Sequence, residues 1–268
     1  MFSYIRTKFV IRREFMKASI ITVVYNGRDY IESAIQSVLR QTYKNIEYLI
    51  IDGGSTDGTV DIIKRYRDQI SKFISEKDDG LYDAMNKGIK MATGDIIGTL
   101  NSDDFYADNS VIERVVEAIE REQADVLWGD LVYVKAGNES KTTRVWKSSV
   151  YEPGKFQKGW MPPHPTFFVR KSVYDRFGLF RTDFKIAADY ELMLRFLEKN
   201  KIKGVYLPVV LVKMRTGGKT GKGVFNIKNI IRYKLEDYRA WKINDLDVGL
   251  SIFFTKSFSK INQYFTRW

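Results

Sequence analysis

The sequence has no cysteine among its 268 residues, and this absence excludes several classes of protein. Disulfide scaffolds, thiolate zinc sites, iron–sulfur centres and cysteine nucleophiles all require the missing side chain. Proline and glycine are also scarce, at 5 and 19 residues, while apolar side chains make up 44% of the chain. This composition argues against collagen-like, low-complexity and disordered classes. We expect a folded protein in a reducing cytoplasm.

Long apolar runs are missing as well. The longest, Val205–Val212, has eight residues and contains Pro208, whereas a membrane-spanning helix needs about 18. Residues 1–13 mix aromatic and basic side chains without the continuous apolar stretch of a signal peptide. We therefore expect neither a span nor a signal peptide, and Met16 is a candidate start of the chain.

Positive charge is concentrated at the two ends of the chain. The net charge is +11, of which residues 1–17 contribute +4 and residues 213–268 contribute +8. A nucleic-acid-binding domain would carry its basic residues over its own surface. The distribution instead predicts a nearly neutral domain, residues 17–220, between a basic N-terminal extension, residues 1–16, and a basic C-terminal extension, residues 221–268.

Strand and helix patterns alternate four times in the first half of the chain. Each short apolar run is followed by apolar residues at helical spacing. The runs are Ala18–Tyr25, Ile46–Ile51, Lys72–Glu76 and Ile96–Leu100. Such alternation is typical of a mostly parallel sheet covered by helices on both faces. The sequence therefore predicts an α/β fold with a mostly parallel central sheet.

The rhythm changes after Asp125. The first two of the later strand patterns predict an antiparallel hairpin, because a polar turn separates them. The predicted strands are Val126–Val134, Thr142–Lys147, Thr166–Val169 and Val205–Met214. Ala188–Lys199 has the periodicity of an amphipathic helix. We interpret this half as an elaboration of the same domain.

Polar and acidic residues follow each strand of the first half. They are Asn26, Asp52, Asp78, Asp79, Asn101, Asp103 and Asp104. Because parallel strands end at one edge of a sheet, we expect these side chains to lie close together, although each alone could be a turn former or a helix cap. Crowded carboxylates repel unless a cation compensates them, and hard oxygen ligands suit Mg²⁺ or Mn²⁺. The sequence therefore predicts a divalent metal together with a hydroxyl-rich ligand.

Two familiar phosphate-binding motifs are absent. Gly218-Lys219-Thr220 supplies the end of a Walker A loop, but the position of its first glycine is Lys213. No G-x-G-x-x-G follows a predicted strand, which removes the dinucleotide fingerprint. Any phosphate would therefore be held by the metal and by basic side chains.

Four ordered motifs resemble those of the inverting glycosyltransferases of family 2. They are SIITVVYNGRDY at 19–30, IDGGSTDGT at 51–59, DDGLYDAMNKGIKMATGDIIGTLNSDD at 78–104 and AADYELMLR at 187–195. The resemblance implies the GT-A fold of nucleotide-diphosphosugar transferases over residues 18–220. It implies an enzyme that moves a sugar from a nucleotide diphosphosugar, which we expect to be UDP-linked, to a saccharide or lipid-linked saccharide. The nearest resemblance is to enzymes of bacterial lipopolysaccharide, capsule or exopolysaccharide assembly.

The resemblance also implies a set of donor-binding residues. Asn26 and Asp52 would line the nucleoside pocket, with Asp52 accepting a hydrogen bond from the base. Asp79 and Asp83 would lie near the nucleotide and the sugar.

A further implied element is the metal site. Asn101-Ser102-Asp103 corresponds to the D-x-D element of the family, with an asparagine in place of the first aspartate. The amide of Asn101 can still bind a hydroxyl but carries no charge. Metal binding, by Mn²⁺ or Mg²⁺, is therefore expected at Asp103, with Asp104 as an additional candidate.

An inverting transfer also needs a general base, because the acceptor hydroxyl loses its proton as it attacks the anomeric carbon opposite the leaving diphosphate. Asp189 is our candidate, since it begins the amphipathic helix of the second half and matches the base position of the family. A helix cap is the structural alternative for Asp189, and Glu191 is its nearest competitor.

Four more residues are candidates with equally weighted structural alternatives. His164 lies in MPPHPTFF, where the family often has a histidine close to the acceptor or the diphosphate. Trp160 could stack on a sugar face or simply pack. Arg215 and Lys219, in RTGGKTGKG, are candidate diphosphate contacts in a loop that closes over the donor, or parts of a solvated basic loop.

The C-terminal extension is basic and amphipathic. Residues 226–242 predict a helix, and residues 248–268 combine aromatic and basic side chains without an acid. Such a sequence can lie on an anionic membrane surface, here the inner face of the membrane. Packing against the catalytic domain or a second subunit is the alternative, and the sequence leaves both open.

Two other functions compete with glycosyl transfer. A sugar nucleotidyltransferase shares the broad fold, but it needs a glycine-rich basic loop after the first strand, where this chain has Asn26-Gly27-Arg28-Asp29. A nucleic-acid-binding protein is the second alternative, although the near-neutral central residues do not favour it.

Overall fold

The structure is a computed structural model that describes residues 16–216 and 227–247. Its strands are β1 (Ala18–Val24), β2 (Ile46–Asp52), β3 (Lys72–Ser75), β4 (Ile96–Asn101), β5 (Asp104–Tyr106), β6 (Val126–Lys135), β7 (Asn138–Trp146), β8 (Phe168–Arg170) and β9 (Gly204–Thr216). Its α-helices are α1 (Ile31–Leu39), α2 (Thr59–Lys64), α3 (Leu81–Met91), α4 (Val111–Glu122), α5 (Lys171–Phe177), α6 (Ala188–Leu194) and α7 (Ile227–Ile243). These elements alternate along the chain, as expected for an α/β fold.

All the strands belong to one mixed sheet in the order β3-β2-β1-β4-β8-β6-β9-β5, with β7 paired to β6. Strands β1 to β4 are parallel to one another, and β6 and β9 are parallel to each other. Strand β8 is antiparallel to both of its neighbours, and β5 and β7 are antiparallel edge additions. The parallel half carries the carboxyl ends that line the candidate site.

Helices cover both faces of the sheet. On one face, α1, α2 and α4 bury their apolar stripes against β1, β2 and β4. The stripe of α1 is Ile31, Ala34, Ile35 and Val38, which are at most 2% exposed, as the helical spacing predicts. On the other face, α3, α6 and α7 pack with the opposite side chains of β1, β2 and β6. Both faces of the parallel half are therefore covered, which explains why its strands are almost continuously apolar.

The predicted strands of the first half are all present within one residue of their expected ends. The hairpin of the second half is present as β6 and β7, which are antiparallel. Strand β5 and helix α5 were not predicted, because each is short and has no long apolar period. A strand was expected at Thr166–Val169. Thr166 instead ends a 3₁₀ turn, His164–Thr166, and strand β8 begins at Phe168. Pro165 favours this turn, since its fixed φ suits a helical first turn and it lacks the N–H that a strand would use.

Helix α6 ends earlier than its periodicity predicts. A regular α-helix runs to Leu194 and is followed by a π-helical turn, Arg195–Lys199. At the start of this turn the Arg195 side chain donates to the backbone oxygens of Phe177, Gly178 and Leu179. The end of α6 is thereby tied to the loop after α5.

Helix α7 packs on the α/β domain. The sequence left open this packing and a membrane-surface position for the predicted extension. Ala240 and Trp241 are at most 1% exposed and belong to the same core as α3 and α6. The Trp241 indole N–H donates to the Tyr190 hydroxyl over 2.8 Å. Residues 248–268, on which the membrane hypothesis mainly depends, lie outside the described residues. Among the helices that are described, none has the length and apolarity to cross a bilayer.

Candidate active site

Four parallel strands end in register at one edge of the sheet. Val24 pairs with Asp52, and Asp52 pairs with Ser75 on the next strand. On the other side of β1, Val23 pairs with Asn101. The loops that begin at these positions therefore leave the sheet together, and they carry most of the polar residues that the sequence selects.

Asp52 is the hydrogen-bonding centre of its own loop. It is fully buried, and its carboxylate accepts hydrogen bonds from the backbone N–H groups of Gly54 and Ser55 and from the hydroxyls of Ser55 and Ser75, over 2.5 to 3.1 Å. The expected contact of Asp52 with a nucleobase would require some of these bonds to be exchanged. In the structure Asp52 shapes the loop after β2, and its contact with the base stays a prediction.

Asn26 connects the loops after β1 and β2. Its side-chain oxygen accepts from the Thr56 N–H over 2.8 Å, and its own N–H donates to the Ser55 hydroxyl over 2.7 Å. Asn26 has a left-handed φ of 49°, which asparagine adopts more readily than other residues with a Cβ. The next residue, Gly27, has no room for a Cβ, which would lie 2.6 Å from the Val24 Cγ2 and 3.2 Å from the Ser102 hydroxyl oxygen. The loops after β1, β2 and β4 are thus in contact.

The loop after β4 is supported from behind by Arg215, at the end of β9. The Arg215 guanidinium donates to the backbone oxygen of Asp103 over 2.8 Å and to Glu139 over 2.9 Å. It also lies against the rings of Tyr30 and Phe105, 5.2 and 4.4 Å from their centroids. Arg215 is only 7% exposed and holds the backbone of Asp103 in place. The sequence left open a contact with the diphosphate or a place in a solvated basic loop, and the burial of Arg215 argues against the second. Lys219, its expected partner in that contact, lies outside the described residues.

The two neighbouring aspartates of this loop face different surroundings. Asp104 is fully buried, and its Oδ2 accepts from the Asn101 amide over 3.0 Å. Burial raises the pKa of Asp104 to about 8, and the charge of Asp103 acts in the same direction. Asp104 therefore points into the protein, away from the role of a metal ligand that the sequence suggested as an addition. Asp103 is partly exposed and is the carboxylate of this loop that solvent or a ligand can reach.

The side chains of the loop after β4 fit a divalent metal only if ligands from outside the protein complete its coordination. Within residues 16–216 and 227–247, no three or more His, Asp or Glu side chains are arranged to hold a metal ion by themselves. Mg²⁺ and similar ions are commonly held by one or two carboxylates together with substrate phosphates and water. The single accessible carboxylate of Asp103 fits that second arrangement, in which a diphosphate completes the coordination.

The acidic turn before α3 lies beside these loops. Asp78 is packed against Gly53, where a Cβ would lie 2.4 Å from the Asp78 Oδ2. Asp83 accepts a hydrogen bond from the Asp79 N–H over 3.1 Å and forms an ion pair with Lys87 at 3.5 Å. Asp79 itself is exposed. Of the two donor-site candidates in this turn, Asp83 already makes a hydrogen bond and an ion pair at the start of α3, whereas Asp79 is accessible to solvent.

Asp189 lies in the first turn of α6, facing α3 and the 3₁₀ turn that contains His164. Its Oδ1 is 3.4 Å from the Tyr82 hydroxyl, which also donates to the backbone oxygen of Ile186 over 2.6 Å. Burial lowers the pKa of His164, and the charge of Asp189 opposes that shift, which reflects how near the two side chains are. Asp189 is partly exposed. It is therefore available as a proton acceptor next to the single histidine.

The contacts of Glu191 and Trp160 are with other side chains of the protein interior. Glu191 is 1% exposed and pairs with Arg195, its Oε1 and Oε2 lying 2.9 and 3.0 Å from the guanidinium nitrogens. The Trp160 ring is packed among Trp128, Tyr151 and Phe156, with centroid distances of 5.5 to 5.9 Å. These contacts favour the packing alternative for Trp160, and they remove Glu191 as a competitor of Asp189 because its charge is already paired.

Sequence reasoning missed two residues of this region. Tyr82 joins the first turn of α3 to the segment that leads into Asp189, and its signal was a tyrosine within the acidic motif DDGLYD. Glu236, on α7, contacts the same segment and had no signal, because its partners are backbone groups about 50 residues away along the chain.

Comparison with known proteins gives a consistent family. The model of glycosyl transferase family 2 matches residues 19–178. An uncharacterized glycosyltransferase of Mycobacterium tuberculosis is 34% identical over 180 residues, which cover 66% of this chain and 67% of the relative. A PGL/p-HBAD biosynthesis glycosyltransferase of Mycobacterium bovis is 26% identical over 204 residues, covering 75% of this chain and 77% of the relative.

Solved structures share the fold. S. aureus TarS, in complex with UDP-GlcNAc, superposes with a TM-score of 0.67 at 18% identity, covering 90% of this chain and 72% of the TarS chain. The mannosyltransferase PcManGT from Pyrobaculum calidifontis, in complex with GDP-Man and Mn²⁺, superposes with a TM-score of 0.64 at 18% identity, covering 91% of this chain and 69% of that chain. The expected fold of a GT-A glycosyltransferase is confirmed by this similarity.

Proposed function

Because the chain belongs to glycosyl transferase family 2, we propose that it is a metal-dependent inverting enzyme that transfers a sugar from a nucleotide diphosphosugar to a hydroxyl acceptor. Its class as a glycosyltransferase follows from the family and its named relatives, which leaves neither a nucleotidyltransferase nor a nucleic-acid-binding protein as a rival. The observation that carries the finer proposal is the convergence of the loops after β1, β2 and β4, one of which carries the accessible Asp103. Asp189, in the first turn of α6, is 3.4 Å from the hydroxyl of Tyr82, on the helix that follows the neighbouring acidic turn.

The donor half of the site is assigned to the loops after β1, β2 and β4. Asn26 and the turn that Asp52 shapes would hold the nucleoside, and Asp79 would lie beside it. TarS was solved with UDP and with UDP-GlcNAc, and PcManGT with GDP-Man, which supports a nucleotide sugar as the donor. We expect a UDP-sugar, as the resemblance of the motifs suggests.

Asp103 would hold the metal, Mn²⁺ or Mg²⁺, together with the donor diphosphate. When bound, such an ion neutralises the charge that develops on the leaving nucleoside diphosphate. Arg215 supports this arrangement from behind, because its hydrogen bond to the Asp103 backbone fixes the loop. Asn101 would contribute a neutral amide in place of a second carboxylate.

Asp189 would act as the general base. An acceptor hydroxyl bound beside it loses its proton to the Asp189 carboxylate as the oxygen forms its bond to the anomeric carbon, and the bond to the diphosphate breaks on the opposite side of the sugar. This single displacement inverts the anomeric configuration. His164, next to Asp189, would contact the acceptor or the diphosphate.

The acceptor is proposed to be a saccharide or a lipid-linked saccharide used in surface polysaccharide synthesis. One named relative belongs to PGL/p-HBAD biosynthesis, which supports a glycan or glycolipid acceptor without specifying it.

Membrane contact through residues 248–268 is a separate proposal that depends on their sequence. Co-sedimentation with anionic and with zwitterionic vesicles tests it. We expect the full chain to bind anionic vesicles more strongly than a chain ending at Asp247 does. Equal binding of both chains to anionic vesicles would contradict membrane contact through this segment.

A nucleotide panel tests the proposed function most simply. UDP-, GDP- and dTDP-sugars are added with Mn²⁺, with Mg²⁺ or with EDTA, and thermal shift and release of nucleoside diphosphate are measured. We expect one nucleotide class to stabilise the protein, and only when the metal is present. Stabilisation that is equal with metal and with EDTA would contradict the metal-dependent part, and stabilisation by none of the three classes would contradict donor binding.

A further inference from the structure

We propose that Glu236, on helix α7, is a positioning residue that holds the turn carrying Asp189, an inference that rests on the proposed function of Asp189 as the base. The Glu236 carboxylate accepts hydrogen bonds from three consecutive backbone N–H groups. Lys185 donates to Oε1 over 3.1 Å, and Ile186 and Ala187 each donate to Oε2 over 2.9 Å. Asp189 follows two residues later, in the first turn of α6.

The hydrogen bonds of Glu236 hold a segment that is not part of a helix or a strand. Residues 185–187 lie between the loop after α5 and the start of α6, and none of them belongs to a helix or a strand. A carboxylate that accepts from several backbone N–H groups forms strong, charge-assisted hydrogen bonds. The direction of the first turn of α6, and with it the position of the Asp189 side chain, therefore depends on a residue of α7.

Other contacts of α7 flank the same turn. The Arg239 guanidinium binds Asp183, donating to its backbone oxygen over 3.1 Å and to its carboxylate. On the other side of Asp189, Trp241 donates to the Tyr190 hydroxyl over 2.8 Å. Helix α7 thus holds the chain before and after the proposed base, and Glu236 makes the contacts to the backbone that leads into it.

The opposite side of the turn is held by helix α3. The Tyr82 hydroxyl donates to the backbone oxygen of Ile186 over 2.6 Å, so the N–H and the C=O of Ile186 are tied to two different helices. Burial raises the pKa of Tyr233, on α7, and the charge of Asp189 raises it further. The turn that carries Asp189 is therefore held between α3 and α7, and a shift of the turn would move Asp189 relative to both.

The geometry points to an effect on turnover with little effect on donor binding. Misplacing a reacting group by about 1 Å can cost about 100-fold in rate, whereas the loops assigned to the donor lie at the ends of β1, β2 and β4 and do not contact Glu236 in the described residues. The C-terminal helix would then be part of the catalytic machinery, although the family model matches only residues 19–178.

Three variants of the full chain test the inference. Glu236→Gln keeps the shape of the side chain but replaces one acceptor oxygen by an NH₂ group, which cannot accept from an amide. Glu117→Gln makes the same change at an exposed position of α4 and is the matched control. Asp189→Asn removes the proposed base itself. Hydrogen–deuterium exchange of residues 185–187, the Kd and stoichiometry of donor binding, and the kcat for release of nucleoside diphosphate are measured with UDP-N-acetylglucosamine and GDP-mannose.

We expect Glu236→Gln to exchange residues 185–187 at least about 10-fold faster, to lower kcat about 10- to 100-fold per donor-binding site and to leave the donor Kd within about 2-fold. Glu117→Gln should match the wild type in all three measurements. Unchanged kcat in Glu236→Gln, with or without faster exchange, would overturn the positioning role. Full turnover by Asp189→Asn would instead overturn the proposed base, which separates failure of the proposed function from failure of this inference.

Discussion

At the scale of single residues, the structure assigns several carboxylates to holding the loops in shape, and Asp52 is the clearest of these. We expect Asp52→Asn to lower the free energy of unfolding by about 2 kcal/mol, because its NH₂ group would face donors that now bind a carboxylate oxygen. Donor affinity should fall as well, since the loop after β2 loses its shape. Urea denaturation and calorimetric titration of UDP measure the two effects.

Asp61→Asn is the matched control for this prediction. Asp61 lies in the neighbouring helix α2, and its side chain is 78% exposed, so its replacement should change neither quantity. If Asp52→Asn weakened UDP binding without any loss of stability, Asp52 would be a direct contact of the base, as the resemblance to the family first implied.

Glu47 gives a second prediction at this scale, at the opposite end of β2. Burial alone would raise the pKa of Glu47, but hydrogen bonds from Ser19 and Thr93 outweigh it and lower the pKa to about 2 from an ordinary value of 4.5. Since about 1.4 kcal/mol corresponds to one pKa unit, Glu47→Gln should lower the free energy of unfolding by about 3 kcal/mol at neutral pH.

The pH dependence of the Glu47 effect has a definite sign. A carboxyl whose pKa is lowered by folding stabilises the protein above its unfolded pKa, and this contribution is lost as the pH falls through the folded pKa. The difference between wild type and Glu47→Gln should therefore shrink between about pH 4.5 and about pH 2. Chemical denaturation at several pH values measures it, and a difference that stays constant down to the acid limit would contradict the assignment.

At the scale of secondary-structure elements, α7 is the part of the fold that the sequence left open. Its amphipathic pattern was visible, but the same pattern is typical of a membrane-surface helix. What distinguishes the two is the partner: Trp241 and Ala240 fit into the core formed by α3 and α6, and a partner far away in the sequence cannot be deduced from the periodicity of the helix alone.

Substitution of Trp241 tests this packing. We expect Trp241→Ala to lower the free energy of unfolding by about 3–5 kcal/mol through loss of buried apolar surface, and Trp241→Phe to lower it by about 1 kcal/mol through loss of the hydrogen bond to Tyr190. Leu235→Ala, at a side chain of α7 that is 57% exposed, should be nearly neutral. Thermal and urea denaturation measure all three, and a neutral Trp241→Ala would mean that α7 does not pack on the domain in solution.

Some secondary-structure elements could be predicted from the sequence, and others could not. The parallel half could be predicted because its strands are buried on both faces and its helices show regular apolar stripes. Strand β5, with three residues, and the π-helical end of α6 could not, because their conformations depend on β9 and on the carbonyl groups that Arg195 binds. Local patterns do not contain those partners.

At the scale of the whole molecule, one sheet edge collects loops from distant parts of the sequence. The identity of the loops could be predicted, because parallel strands must end at a common edge. The part played by each side chain could not: Asp104 and Asp103 are adjacent in sequence, yet one is fully buried and the other is accessible. The strand β5 begins at Asp104 and turns it inward, and the antiparallel pairing of β5 with β9 brings Arg215 behind Asp103.

The division of labour between Asp103 and Asp189 is the central claim, and donor binding measured together with turnover tests it most directly. Calorimetric titration with the donor selected by the nucleotide panel, with and without Mn²⁺, is combined with kcat for Asp103→Asn and Asp189→Asn. We expect Asp189→Asn to keep the donor Kd within about 2-fold while kcat falls about 100- to 10,000-fold, the range of general-base catalysis. Asp103→Asn should lose the Mn²⁺-dependent part of donor binding. Wild-type turnover by Asp189→Asn, or undiminished Mn²⁺-dependent binding by Asp103→Asn, would contradict the account.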